Sequence, residues 1–369
     1  MRIAAIDIVR GLCIVLVVFG HNPVFSDSVL DTMLSTVRMP LMFFIAGAFL
    51  NTRMSWRDML IDKADALLKP FVVMALLQAP LRLMLGHTSP EALTAGVLAG
   101  GGAYLVWIFP LWYLTHLWWV FAAGHALVVR GQFHRWSAPV QVLFLLGCFA
   151  LGHTLNAQHW LSDMPATQAP TEAHWRGVPF QLDQLPCNLV FFLLGQRCQA
   201  LLRHWQFSAW RLIGSSALFL ATYTLAHGLP GTPIAEPSPS PWSVLVPLAG
   251  MAMLVTVATG LAHLPLLRSG LAQCGRDSLF ILLFHSPLQT LSFQLWSMAL
   301  PHSPWLCGTL GWASSLGLSL GLAHVIRQHH WIALLWLPRR QVQARRTAPG
   351  VRLPGLTSFV PPKPGAHSS

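Results

Sequence analysis

Charge is what this sequence has least of. Only 9% of its 369 residues are Asp, Glu, Lys or Arg, and only 12 are acidic. A soluble domain carries about 25% charged residues, so the composition argues against a soluble globular protein. Paired cysteines are missing too. Cys13, Cys148, Cys187, Cys198, Cys274 and Cys307 are scattered, with no C-x-x-C pair, which argues against a disulfide framework and a zinc ribbon. The chain has no H-E-x-x-H, no P-loop and no dinucleotide fingerprint. No metal is expected, and no internal repeat is evident.

What is present is apolar. Hydrophobic residues make up 54% of the chain, with 16 Trp. The expected fold class is all-α, a polytopic membrane protein with about ten transmembrane helices. The spans are placed at about 5–25, 37–51, 66–86, 111–129, 138–156, 186–203, 208–229, 242–264, 277–300 and 305–326. Asp7 and Arg10 interrupt the first apolar run, so it reads as a retained span rather than a signal peptide. The net charge of +11 would suggest nucleic acid in a soluble protein. Here the basic residues sit in short loops and the tail, so no nucleic acid is expected and the charge reports orientation. With the N-terminus cytoplasmic, Arg53, Arg57, Lys63, Lys69, Arg130, Arg135, Arg203, Arg211, Arg268 and Arg276 fall inside, and so does a basic C-terminal tail. Only Arg38, Arg82 and Arg176 fall outside. Segment 91–110 is apolar, but counting it as a span would invert everything after it, so it reads as an outer or re-entrant piece. The domain division is 1–330 for the membrane region and 331–369 for a Pro/Gly-rich, disordered cytoplasmic tail.

The stretch "IDIVRGLCIVLVVFGH" places Asp7, Arg10 and His21 in the first span. Ionisable groups in a span are expensive and mark function. Arg10 and His21 are eleven residues apart, within about 20° of one helix face and about 16 Å along it. Asp7 stands at the i,i+3 spacing that permits a structural ion pair with Arg10. In the ninth span, Ser278, His285 and Gln289 fall within about 60° of one face. His285 is either an acid/base group or a core histidine satisfied by a neighbouring helix. Arg38 is either an acceptor-binding or oxyanion group at the outer mouth, or a snorkelling anchor. Trp112 and Tyr113 suit either an interfacial aromatic belt or stacking on an acceptor sugar.

Taken together with "RMPLMFFIAGAFL", "PLWYL", "FFLLGQRC" and "GRDSLFILLFHSP", this first stretch resembles the acyltransferase-3 family of membrane O-acyltransferases. The likeness is greatest to the branch grouped with fucose 4-O-acetylase-like proteins, and it runs from about Arg2 to about Arg327. The resemblance implies about ten spans, an acyl-CoA donor (acetyl-CoA by default) met from the cytoplasmic side, and sugar acceptors on the outer side. The family's arginine and histidine of the first span map onto Arg10 and His21. Its basic, proline and paired-phenylalanine segment maps onto Arg38, Pro40, Phe43 and Phe44. Its late Gly, Ser and His map onto Gly275, Ser278 and His285. Where the family often has Ser-Gly, this chain has Ala46–Gly47.

The expected function is transfer of an acyl group from acyl-CoA to a hydroxyl of an exported or cell-surface carbohydrate or lipid-linked glycan. The setting expected for it is a bacterial-type inner membrane. His21 is the expected base, because imidazole titrates near neutral pH. Arg10, Arg53 and Arg57 are the expected donor-binding residues, because guanidinium suits phosphate. Arg38, Trp112, Tyr113 and Ser278 are expected on the acceptor or oxyanion side. The competing reading is a transporter or flippase of a lipid-linked saccharide, which would share the spans and intramembrane charges but release no CoA.

Overall fold

The computed structural model describes residues 4–26, 28–101, 105, 110–157, 178–228 and 242–342. No β-strand occurs among them. The helices are α1 (Ala4–Gly20), α2 (Val29–Ala48), α3 (Trp56–Lys63), α4 (Lys69–Met84), α5 (Pro90–Leu98), α6 (Trp112–His125), α7 (Ala138–Ala157) and α8 (Leu185–Arg197). They continue as α9 (Gln199–His204), α10 (Ala209–His227), α11 (Trp242–Leu261), α12 (Pro265–Arg276), α13 (Ser278–Ala299), α14 (Pro304–Gln328) and α15 (His330–Trp336). A π-helical turn, Ala64–Leu68, joins α3 to α4 without a break.

Five helical stretches are long and apolar enough to cross a membrane: Val29–Ala48, Trp56–Met84, Ala138–Leu155, Val244–Leu261 and Pro304–Gln328. Other helices fall short. α1 has 17 residues and carries Asp7 and Arg10. α8 has 13 residues, and Asn188 to Leu193 are all buried.

Several sequence-based boundaries move. α2 begins at Val29, eight residues before the expected span. Ser28 caps it by accepting from the Asp31 amide at 3.1 Å. Inside it, Thr32, Ser35 and Thr36 donate back to carbonyls one turn earlier, so a polar stretch read as loop is helical. α1 ends at Gly20, which leaves His21 in the turn that follows. Segment 91–110 includes all but the first residue of the nine-residue α5, too short to cross about 30 Å of hydrocarbon. Residues 331–342, expected in the disordered tail, belong to α15 and a packed strap with Leu337 and Val342 buried. The rest of that tail lies outside the described residues.

Two close crossings set the helix arrangement. A Cβ built on Gly47 would lie 1.8 Å from the Phe192 carbonyl oxygen, and one on Gly195 would lie 1.8 Å from that of Phe44. Both helices carry the same Phe-Phe-x-x-Gly string, at 43–47 and 191–195, and each glycine receives the other helix's backbone. The second crossing joins α1 to α12. A Cβ on Gly11 would meet Leu271 O at 1.8 Å, and one on Gly275 would meet Asp7 O at 1.9 Å. Ten residues beyond Gly11 and Gly275, the rings of His21 and His285 face each other with centroids 5.2 Å apart. The equal spacing shows that α1 runs alongside α12 and α13 in the same direction.

Candidate functional site

A cavity of about 770 Å³ opens between these helices. Arg10 of α1 lines it, with Met42, Ile45, Ala46 and Phe49 of α2 and Tyr113, Leu114, Leu117 and Phe121 of α6. Lys63 and the π-turn close one side, and Gln273, Arg276 and residues 278–280 and 282 close another. Arg327 at the end of α14 and the strap residues Leu337, Pro338, Arg340 and Gln341 complete the wall.

Its electrostatics are one-sided. Five cations line it: Arg10, Lys63, Arg276, Arg327 and Arg340. Asp62 and Asp277 pair with three of them. Asp62 meets Arg340 at 2.9 Å and Lys63 at 4.0 Å. Asp277, 1% exposed, pairs with Arg327. Gln273 bridges this second cluster, donating to Asp277 and accepting from Arg276. Five positive charges against two negative ones leave a wall suited to an anion carrying several phosphates. Aromatic faces steady two of the cations. The Lys63 Nζ lies 4.3 Å from the Phe121 ring centre, and the Arg327 guanidinium lies 5.1 Å from that of Phe280.

The strap is tied to the far side of the mouth. Lys69 Nζ donates to Leu337 O at 2.7 Å, and the Arg339 amide donates to Asp65 Oδ2 at 2.6 Å. Asp65 also pairs with Lys69 at 2.7 Å. Trp336 packs on Phe284 of α13, with ring centres 5.2 Å apart. Three helical steps beyond the cavity-lining Leu282 lies His285, fully buried. The His285 Nδ1 faces Ile281 O at 2.8 Å and Leu282 O at 3.0 Å. A ring nitrogen between two carbonyls must donate, so Nε2 carries the lone pair. His21, exposed, stands against this ring.

The other expected site residues divide. Arg10, Tyr113 and Ser278 line the cavity; Arg53 and Arg57 are exposed and do not line it. Tyr113 is 5% exposed, its ring 5.2 Å from that of Phe43, so it is a core residue rather than part of a belt. Trp112 packs on Tyr113 and on His116. Tyr113 and Ser278 thus sit on the Arg10 side, away from where the acceptor was expected. Arg38 is held by Asp31 at 2.5 Å and donates to Leu16 O at 3.0 Å. It stands over Gly20, close to His21. Asp7 is 9% exposed, at the crossing of α1 with α12. His116, packed against Trp112 and Phe43, is fully buried between Phe180 O at 2.9 Å and Asn188 Nδ2 at 3.0 Å.

From sequence alone Lys63 and Arg276 read as orientation markers, and Arg327 and Arg340 as part of the basic C-terminal tail. For Arg276 and Arg327 the available signal is their place in the last turns of α12 and α14, next to apolar runs rather than in mid-loop. No group of three or more His, Cys, Asp or Glu able to hold a metal occurs among the described residues.

The comparisons fit this architecture. No curated protein and no solved structure matches the chain. A family profile described as an acyltransferase domain matches residues 3–324. That stretch runs from α1 nearly to the end of α14 and includes most of the cavity wall, and the chain belongs to the acyltransferase-3 family of membrane acyltransferases.

Proposed function

We propose that this protein transfers an acyl group, acetyl by default, from acyl-CoA to a hydroxyl of an exported or cell-surface carbohydrate. In this reading the Arg10 end faces the cytoplasm and the His21 end faces outward. About ten helical passages, five of them full-length apolar spans, sit in a bacterial-type inner membrane. The observation that carries the proposal is the cavity. Five cations line it, with Asp62 and Asp277 paired to three of them, and its lining residue Leu282 lies three residues before His285, whose ring meets that of His21. A volume of about 770 Å³ is in the range that encloses a cofactor-sized ligand.

The phosphates of the donor lie among Lys63, Arg276, Arg327 and Arg340, with Arg10 deeper in the cavity. The pantetheine arm is extended and runs toward the histidines, along the roughly 16 Å that separate Arg10 from His21 on their helix. An acceptor hydroxyl enters from the His21 side. His21 takes its proton as the oxygen attacks the thioester carbon. A C–O bond forms, the C–S bond breaks, and the proton passes to the thiolate, which leaves as free CoA. Arg38, beside His21, faces the negative charge that develops on the carbonyl oxygen.

Thiol release from acetyl-CoA tests this, using membranes that contain the wild type or His21→Ala and a surface-glycan extract as acceptor. Glycan-dependent release that disappears in the variant is expected. Equal release from both, with the variant folded, removes His21 from the chemistry. No release by the wild type turns the reading toward a transporter.

A further inference from the structure

On α13, past the cavity, lies a strip of buried polar atoms that the scheme above does not use. Gln289 is 1% exposed, and neither its Oε1 nor its Nε2 has a hydrogen-bond partner among the described residues. The His285 Nε2 is likewise buried and unpartnered. The two residues are four apart, about 40° around the helix and about 6 Å along it. Pro287 lies between them and has no N–H to give the Leu283 carbonyl. A buried amide with nothing to bond costs free energy, all the more where water is scarce.

We infer that Gln289 recognises the acceptor, and that the acceptor is a neutral polyhydroxy compound. The inference rests on the acyltransfer reading. The chemistry of the strip selects the ligand. A lone pair on His285 Nε2 requires a donor, and the carboxamide offers one acceptor and two donors. A hydroxyl supplies both roles, and neighbouring hydroxyls on a sugar or polyol satisfy both side chains at once. A carboxylate or phosphate leaves the His285 lone pair and Gln289 Oε1 unanswered, because it only accepts. An aliphatic alcohol reaches one group but not both. His21, exposed and in ring contact with His285, stands beside the strip, where the reacting hydroxyl would pass.

The test uses the full chain in lipid nanodiscs, with acetyl-CoA as donor and fucose, glycerol and n-butanol as acceptor probes. CoA release is followed with and without acceptor, and melting with and without fucose. The variants are Gln289→Leu and Gln289→Asn. Wild type is expected to prefer fucose and glycerol to butanol. Gln289→Leu raises the fucose KM tenfold or more and loses the fucose-induced rise in melting temperature. Gln289→Asn recovers part of the preference. An unchanged fucose KM and melting shift in Gln289→Leu overturns the assignment, and so does a wild type that treats butanol like glycerol. A wild type that releases no CoA under any condition sinks the acyltransfer reading instead. The melting arm then decides the subsite separately: a fucose shift lost in Gln289→Leu keeps it, and a shift retained or never present removes it.

Discussion

Arg276→Gln is the cleanest probe of the donor cavity. Arg276 lines the cavity but is exposed, and its partner there is the Gln273 carboxamide rather than a carboxylate. Its removal strands no buried charge, so folding should be little affected. The electrostatic loss follows from the size of the cavity. A sphere of 770 Å³ has a radius of about 6 Å, and a unit charge at that range interacts by about 2.8 kcal/mol at an effective dielectric of ~20. For an exposed group a dielectric of ~40 is more apt, which gives about 1.4 kcal/mol per donor charge, or roughly tenfold in affinity. The donor KM for acetyl-CoA should therefore rise about tenfold at low ionic strength, with kcat nearly unchanged. Arg276→Lys should recover most of the loss. The effect should shrink as salt shortens the screening length from about 10 Å at 0.1 M to about 3 Å at 1 M. A donor KM within twofold of wild type at low salt would refute the assignment of this wall to phosphate binding. A rise that salt does not reduce would point to shape rather than charge.

Two further predictions concern stability. The Asp277–Arg327 pair is buried on the acidic side, with side-chain exposures of 1% and 21%, so Arg327→Gln alone should cost about 3–5 kcal/mol by leaving a buried carboxylate unpaired. Arg327→Gln with Asp277→Asn should unfold at higher denaturant than the single variant in a nanodisc titration; equal midpoints would mean that the two side chains are not coupled. Gly47→Ala would put a Cβ 1.8 Å from the Phe192 carbonyl oxygen. The mutual contact of α2 and α8 leaves no room for it, so the variant should lose the folded species in size-exclusion chromatography, and wild-type melting would refute the close crossing.

Apolar length and turn signals made most of the helices legible, because hydropathy over about 20 residues is a property of one segment. α7, α10, α13 and α14 lie within two residues of their expected ends. α2 was misplaced where hydroxyls pair with their own backbone, which hydropathy counts as polar. The face shared by Ser278, His285 and Gln289 was visible from helical spacing alone. What spacing could not bring together were partners remote in the chain. Lys69 and Leu337 are 268 residues apart, Asp65 and Arg339 are 274 apart, and His21 meets His285 across the helix bundle. For the same reason Arg276 and Arg327 read as topology markers, although their place at helix ends put them on the cavity wall.

The strap has a consequence for how the protein comes into being. Residues 337–341 supply part of the cavity wall and are tied to Asp62, Asp65 and Lys69, which are translated early. A nascent chain must hold that early segment in the membrane with one side of its cavity missing until almost the last of its described residues has left the ribosome. Assembly of the chamber is therefore coupled to synthesis of residues 337–341. A premature stop that spares every apolar span would still yield a protein whose chamber lacks this wall, and a bulky tag fused directly after Val342 would be built beside it.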